Sequence, residues 1–169
     1  MPKTRAELMA RLDELGIPST TIDHEAVFTV AESEKLHREI AGVHTKNLFL
    51  KDHRDRLWLV VAECHTPVDL KALQKTIGSG RLSFGKPELL AEVLGVQPGS
   101  VTALALINYT GGRVSVVVDQ SLMQYDVINC HPLENTATTS IHRDDLIKFM
   151  HACGARPSVL ALTATAVAD

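Results

Sequence analysis

The amino-acid sequence predicts an α+β fold, with a mixed, barrel-like β-sheet at its core and helices packed around it. Amphipathic helical segments are interspersed with apolar strand pairs, and they do not alternate regularly with single strands. Residues 45–52 and 57–63 flank a polar turn and have the pattern of a β-hairpin. We interpret residues 1–169 as one domain, which is long enough to bury a core.

Apolar residues spaced three or four apart predict helices in five places. The first begins at Thr4, because Thr4 and Glu7 have the spacing of a capping box, and Gly16 ends it. The other four helices are predicted at residues 31–41, 68–77, 87–94 and 144–153, and each is followed by a glycine.

Strands are predicted where β-branched and apolar residues cluster between turn residues. Besides the hairpin, they cover residues 19–23, 101–108, 113–119, 126–130 and 136–141. Gly111 and Gly112 separate two of these runs and favour a second hairpin. The alanine- and threonine-rich end from Leu160 onward has no clear apolar face, so we expect it to fray or to pack as an extra segment.

The composition is that of an ordinary globular protein, with 45% apolar and 22% charged residues. A net charge of −3 argues against a broad surface that coats nucleic acid, although a local basic patch remains compatible with it. No run approaches the ~18 apolar residues of a membrane span. The N-terminus also lacks an apolar signal core. We therefore expect a soluble, cytoplasmic protein without a membrane partner.

Neither the cysteines nor the histidines suggest a metal or cofactor site. Cys64, Cys130 and Cys153 are odd in number and lack close ligand spacing, so a disulfide framework is not expected either. His37 and His44 lie on either side of a helix stop and do not share a helical face. The sequence also lacks a phosphate-binding loop, a G-x-S-x-G elbow and an H-E-x-x-H pair.

Three polar clusters interrupt the apolar strands. Lys46 and Asn47 begin the strand 45–52, His131 precedes a Pro-Leu pair, and the glycine-rich stretch 78–87 carries Arg81 and Lys86. Taken singly, each has an ordinary explanation: a strand-end surface lysine, a satisfied turn histidine and a surface loop. The functional alternative is a lysine that faces a cavity, together with a loop whose cations pair with phosphates.

These clusters belong to an ordered series of motifs. The series reads HEAVFTVAE from His24, GVHTKNLFLKD from Gly42, FGKP from Phe84, PGSVT from Pro98, LALIN from Leu104, VSVVVD from Val114 and HPLENTATTSI from His131. It resembles the YbaK and prolyl-tRNA editing family from about residue 24 to residue 157, and it is most similar to the free-standing alanyl-tRNA(Pro) deacylases. No single motif is highly specific, but the ordered set is.

The resemblance implies an aminoacyl-tRNA deacylase. Such an enzyme hydrolyses the ester between a small amino acid, here alanine, and the terminal adenosine of tRNA(Pro), with water as nucleophile and without metal, cofactor or covalent intermediate. The partners implied are the acceptor end of tRNA(Pro) and prolyl-tRNA synthetase. Lys46 matches the lysine on which the family's activity depends, and its ammonium would hold the substrate and stabilise charge on the carbonyl oxygen.

The remaining site residues follow from the same resemblance. Asn47 is expected to help bind the terminal adenosine, and His131 to orient the nucleotide or the attacking water. Selection should depend on pocket size, because one methylene changes discrimination by only ~1–3 kcal/mol. The expected substrate contacts are the walls Val27, Phe28, Leu48 and Leu106, the backbone of Gly99 and Ser100, and the phosphate-binding cations Arg81 and Lys86. Any one wall residue could equally be plain core.

Three alternatives stay open at this point. A deacylase for cysteinyl-tRNA(Pro) would share the fold and the chemistry. A catalytically silent nucleic-acid-binding module would share the fold alone, and the presence of Lys46 and His131 argues against it. A hydrolase of small aminoacyl esters would not need the tRNA at all.

Overall fold

A computed structural model describes residues 2–26, 30–109 and 112–162 of the chain. Within these ranges the helices are α1 (Arg5–Glu14), α2 (Val30–Glu39), α3 (Leu70–Ile77), α4 (Pro87–Leu94) and α5 (Arg143–Ala152). The strands are β1 (Ser19–Asp23), β2 (Val43–Lys51), β3 (Leu57–Glu63), β4 (Ser83–Phe84), β5 (Val114–Asp119), β6 (Val127–Cys130), β7 (Ala137–His142) and β8 (Ser158–Leu160). None of the described helices is long and apolar enough to cross a membrane.

The strands form one mixed sheet in the order β1-β7-β6-β2-β3-β5-β8, and β4 pairs with β2 beside this path. The pairs β2–β6, β3–β5 and β5–β8 are parallel, whereas β1–β7, β2–β3, β2–β4 and β6–β7 are antiparallel. This arrangement confirms the α+β class, the mixed sheet and the β2–β3 hairpin.

Both faces of β3 are covered, which explains its nearly continuous apolar sequence. Leu57, Leu59 and Val61 belong to the larger core, together with side chains of α1, α4 and α5. The alternate residues Trp58 and Val60 belong to a second cluster on the other face, which includes residues of α3. Successive side chains of a strand point to opposite faces, so this one strand separates the two cores.

The helix ends follow the predicted chemistry. Thr4 and Glu7 form the capping box of α1 through reciprocal hydrogen bonds. Gly78 and Gly95 end α3 and α4 with φ of +69° and +66°, a left-handed conformation that glycine adopts without steric penalty. Pro87 occupies the first turn of α4.

The predicted strand at 101–108 is wrong. Pro98–Ser100 and Ala103–Asn108 form 3-10 helices, and the side chain of Thr102 caps the second by accepting a hydrogen bond from the Leu104 N–H. The four residues from Ala103 to Leu106 are completely buried. An apolar run that is buried on all sides has the same sequence signature as a buried strand, which accounts for the error.

The predicted second hairpin is also wrong, because residues 101–108 do not form a strand that could pair with β5. β5 pairs in parallel with β3, so its neighbour in the sheet is not the segment before it in the chain. The segment near the C-terminus packs as part of the sheet, because β8 pairs in parallel with β5. Leu162 is buried in the second core cluster, and the residues that follow it lie outside the described range.

Candidate functional site

One face of the sheet carries a connected group of polar side chains where β7, β6 and β2 lie side by side. Nδ2 of Asn129 lies 3.3 Å from Nε2 of His44, and the Ser140 hydroxyl donates a hydrogen bond of 2.5 Å to Oδ1 of Asn129. Ile128, Cys130 and Ile141 alternate with these residues and belong to the larger core. We call this surface the polar face; its residues are His24, His44, Lys46, Asn129, His131, Thr138 and Ser140.

Lys46 lies on the polar face, two residues after His44 in β2, and pairs with Ala62 of β3. Its side chain is half-buried, so it is not a plain surface lysine. Its positive charge acts on the Cys64 thiol, which follows β3, and lowers the pKa of that thiol slightly against the stronger opposing effect of burial. Leu48 is next on the same face and packs against the second core cluster.

Asn47 points to the opposite face of the sheet, because it alternates with Lys46 and pairs with the core residue Val61. Its Oδ1 atom is buried and accepts no hydrogen bond from the described residues. Leaving a buried acceptor unsatisfied costs about 1–3 kcal/mol, so such atoms are usually paired with water or with a ligand. Lys46 and Asn47 therefore do not converge on one point, although they are neighbours in the chain.

His131 follows the last residue of β6 and lies near His44 of the polar face. The parallel register pairs His44 with Asn129, and the Thr45 hydroxyl holds the strands together by donating a hydrogen bond of 2.8 Å to the Asn129 carbonyl. The pairing ends at this position; His131 comes two residues after Asn129, and its electrostatic effect on His44 shows that it lies close to that ring.

The tautomer of His131 is set by its surroundings. Its Nδ1 lies 3.1 Å from the Ala137 carbonyl oxygen, so Nδ1–H donates and Nε2 keeps its lone pair. Burial lowers the pKa of His131 below its usual range, against the effect of that hydrogen bond, and nearby His24 lowers it further. The imidazole is therefore neutral at pH 7 and can accept a proton at Nε2.

Gly99 lies close to the segment that follows His131. A Cβ atom built on Gly99 would lie 3.5 Å from Nδ2 of Asn135. The Ser100 N–H donates a hydrogen bond of 2.8 Å to the Gln97 carbonyl, so this N–H is not available to a substrate carbonyl. Of the two predicted backbone contacts, only Gly99 keeps the capacity to approach a ligand near Asn135.

The structure describes only some of the residues that were predicted to line the substrate pocket. Leu106 is completely buried in the larger core, where it acts as plain core. Val27 and Phe28 lie outside the described residues. A cleft of about 240 Å³ opens between His24 and Glu25 on one side and Glu32, Lys35, Leu36 and Glu39 of α2 on the other. A cavity of about 480 Å³ beside α1 is lined by neither Leu48 nor Leu106, although Ile107, a less certain candidate for a pocket wall, does line it.

Arg81 and Lys86 are exposed at some distance from the polar face. They flank β4, where Phe84 pairs with Leu50 near the far end of β2. At ~3.3 Å per residue, this contact lies roughly 13 Å along the strand from Lys46. Phe84 is itself 62% exposed, and we call these three exposed residues, Arg81, Phe84 and Lys86, the basic patch.

Buried Asp52 holds the loop of the basic patch. Its carboxylate accepts hydrogen bonds from the Arg54, Arg56 and Gly80 N–H groups and from Nε of Arg56. Burial acts to raise the pKa of Asp52, but these hydrogen bonds dominate and lower that pKa well below its usual range. The carboxylate is therefore charged at neutral pH and ties the β2–β3 turn to the start of the loop.

A second group of side chains beside the polar face was missed by the sequence analysis. The rings of His37 and His44 stack with centroids 4.1 Å apart, although the sequence spacing suggested no common face. Cys64 and His65 at the end of β3 complete this group. Burial raises the pKa of the Cys64 thiol to about 11, so the free thiol is protonated at neutral pH and is a poor nucleophile.

Proteins of known families resemble this chain over most of its length. The aminoacyl-tRNA editing domain family matches residues 24–149. The prolyl-tRNA editing protein ProX of Acetoanaerobium sticklandii is 38% identical over 148 residues, which cover 87% of this chain and 90% of that protein. Prolyl-tRNA synthetase associated domain-containing protein 1 of Danio rerio is 38% identical over 159 residues, which cover 93% and 86% of the two chains.

A structural comparison agrees at the level of the fold. One solved structure, described as a candidate trans-editing enzyme for prolyl-tRNA synthetase, superimposes with a TM-score of 0.70 at 17% identity. The superposition covers 94% of this chain and 98% of that one. The matched range 24–149 contains every residue of the polar face and of the basic patch.

Proposed function

Since the chain belongs to the aminoacyl-tRNA editing domain family and is an aminoacyl-tRNA deacylase, we propose that it hydrolyses tRNA(Pro) mischarged with alanine. The names of the relatives support tRNA(Pro) as the nucleic acid. The observation that carries the chemistry is a half-buried lysine, Lys46, on the same face of the sheet as a neutral histidine, His131.

In this proposal Lys46 acts on the carbonyl group of the ester. When water adds to the carbonyl carbon, negative charge develops on the carbonyl oxygen. The ammonium of Lys46 stabilises that charge, and its partial burial strengthens the interaction relative to bulk water. Removing one such donor typically lowers kcat by about 10²–10³-fold.

His131 acts on the nucleophile. Nε2 accepts a hydrogen bond from the attacking water, or from the 2′-hydroxyl that positions this water, because Nδ1–H is committed to the Ala137 carbonyl. The proton removed from water is passed to the departing 3′-oxygen as the ester bond breaks. The products are free alanine and tRNA with an intact 3′-hydroxyl, so the step needs no co-reactant other than water.

Asn47 and the basic patch contribute binding. The unpaired Oδ1 of Asn47 suits an N–H donor of the substrate, either the exocyclic amine of the terminal adenosine or the α-ammonium. Arg81 and Lys86 pair with acceptor-stem phosphates, and exposed Phe84 offers a stacking surface to a base.

The substrate is tested by release of labelled amino acid from tRNA(Pro) charged separately with alanine, cysteine and proline. We expect selective release of alanine, lost in Lys46→Ala and kept in Lys51→Ala, which removes a lysine from the same strand. Selective release of cysteine would keep the chemistry and overturn the alanine assignment. A folded protein that binds tRNA and releases no amino acid would indicate a silent binding module.

The remaining alternative is a hydrolase of small aminoacyl esters that does not need the tRNA. Activity on a small alanyl ester distinguishes it from a tRNA-dependent deacylase. If the enzyme hydrolyses that ester as efficiently as alanyl-tRNA(Pro), the tRNA contacts proposed for Asn47 and the basic patch are wrong. We expect kcat/KM to fall by orders of magnitude with the small ester, because the binding energy of the nucleotide positions the reacting carbonyl.

A further inference from the structure

Three donor atoms from α2 and the end of β3 lie close together beside the polar face, and Glu63 borders two of them. The Cys64 sulfur lies 3.9 Å from Nδ1 of His37, 3.4 Å from Nδ1 of His65 and 3.4 Å from Oε1 of Glu63. Oε1 of Glu63 also lies 3.2 Å from Nδ1 of His65. The ligand atoms of His37, Cys64 and His65 all lie within 4.8 Å of one another.

These separations match those between the ligands of a tetrahedral zinc ion. With Zn–S near 2.3 Å and Zn–N near 2.0–2.1 Å, tetrahedral angles place sulfur and nitrogen ligands ~3.6 Å apart and nitrogen or oxygen ligands ~3.4 Å apart. The observed distances lie on both sides of these values. A soft thiolate beside two imidazoles and one carboxylate is also a donor set that favours zinc over magnesium or calcium.

The surroundings orient the ligands as in known metal sites. A histidine that binds metal through one ring nitrogen usually donates its other N–H to a fixed partner. Nε2 of His37 lies 3.2 Å from the hydroxyl of Ser33, one turn earlier in α2. The ring of His44 stacks on His37 and restricts its rotation.

We propose that His37, Cys64 and His65 bind one divalent cation of the Zn²⁺ class, and that Glu63 completes the coordination when its carboxylate turns toward the ion. Cys64 binds as the thiolate and releases its proton to solvent when the metal enters. Four protein ligands close the coordination sphere, so the role of the ion is structural and it offers no open position to a substrate.

The ion would attach a helix that is otherwise weakly held. None of the residues 31–39 of α2 is buried, so apolar packing of these residues gives this helix little stabilisation. A metal bond through His37 links α2 to the end of β3, next to the pairing of Glu63 with Thr45 of β2. Because α2 also borders the cleft beside His24, the same bond would fix one wall of that cleft.

The test is a titration of chelator-treated protein with Co²⁺, which absorbs visibly in tetrahedral sites and shows a thiolate charge-transfer band. We expect one Co²⁺ per chain, displaced by Zn²⁺. Cys64→Ser should abolish the charge-transfer band, and Cys153→Ser should keep it. His37→Gln should weaken Zn²⁺ binding by more than the 10–100-fold typical of an outer-shell partner, and Ser33→Ala by about 10-fold.

The controls keep the result interpretable. His151→Gln removes an exposed histidine elsewhere and should leave binding unchanged. Circular dichroism shows whether Cys64→Ser is folded, and Zn²⁺ should raise the Tm of the wild type but not of this variant. Absence of the band in folded wild type, or a band that persists in Cys64→Ser, overturns the proposal. Binding is measured without tRNA, so its failure is separate from any failure of the deacylase assignment.

Discussion

Lys46 and Asn47 are adjacent in β2, yet their side chains lie on opposite faces of the sheet, one on the polar face and one toward the larger core. If both residues take part in one reaction, they must therefore contact different parts of the substrate, on the two sides of β2. Their contributions should separate experimentally into chemistry for Lys46 and binding for Asn47.

The unpaired Oδ1 of Asn47 predicts that replacing this residue changes stability and substrate binding in opposite directions. Asn47→Leu removes a buried acceptor without a partner among the described residues, so the free energy of unfolding should rise by about 1 kcal/mol while KM for alanyl-tRNA(Pro) increases. Urea unfolding and steady-state kinetics measure the two effects.

Thr45→Val is the matched control for Asn47→Leu, because Thr45 lies on the same face but donates a hydrogen bond to the Asn129 carbonyl. Its loss should destabilise the protein by about 1 kcal/mol. Destabilisation of similar size in both variants would show that Asn47 is already satisfied in the free protein.

The lowered pKa of His131 predicts the pH profile of deacylation. Only the neutral imidazole can accept a proton, so kcat/KM should rise with pH, and the midpoint of this rise should lie below the value of ~6.5 expected for a free histidine. His131→Gln should lower kcat/KM by about 10²–10⁴-fold and remove this limb of the profile.

His151→Gln serves as the control for that profile, because His151 is exposed on α5 and should leave the pH dependence unchanged. A midpoint well above pH ~6.5 would assign the titration to another group.

Substitution of Gly85 and of Gly80 by alanine should affect the stability of the protein differently. A Cβ atom on Gly85 would lie 2.4 Å from ring carbons of Phe49, which is buried, so Gly85→Ala should cost about 1–3 kcal/mol of stability through overpacking. A Cβ atom on Gly80 would lie 2.1 Å from the ring of His53, which is exposed and can rotate away.

Urea unfolding of the two variants compares these contacts directly. Gly80→Ala should be the milder change, provided that Asp52 keeps its hydrogen bond from the Gly80 N–H. A larger loss for Gly80→Ala than for Gly85→Ala would mean that the loop cannot adjust.

The basic patch predicts a salt-dependent contribution to binding. Arg81→Ala with Lys86→Ala should raise KM for alanyl-tRNA(Pro), leave kcat nearly unchanged and reduce the slope of log affinity against log salt by about 0.7–0.9 for each lost phosphate contact. Lys148→Ala removes an exposed lysine of α5 and should leave that slope unchanged. An unchanged slope in the double variant would place the tRNA elsewhere on the surface.

Local chemistry explains which parts of the fold were predictable. The capping box of Thr4 and Glu7 and the β2–β3 hairpin depend on residues close in sequence, so their patterns were sufficient. The segment Ala103–Asn108 was misassigned because complete burial removes the periodicity that separates helix from strand.

Long-range placement explains what the sequence could not predict at the site. The placement of His131 and Lys46 on one face depends on the parallel pairing of β6 with β2, which local patterns do not reveal. His37, Cys64 and His65 come from a helix and a distant strand end, so their spacing carried no ligand signature. The motifs containing Arg81 and Lys86 suggested a phosphate contact but not its distance from Lys46.

β8 closes the edge of the sheet at β5, so the sheet is complete only after this late segment of the chain has been made. Among the described residues β8 is the last strand in both the chain and the sheet order, and it covers the outer side of β5. Until Ser158–Leu160 leaves the ribosome, β5 presents unpaired backbone groups to any strand nearby. A nascent or truncated chain that stops before Ser158 should therefore tend to self-associate through this edge, even when the rest of the sheet is assembled.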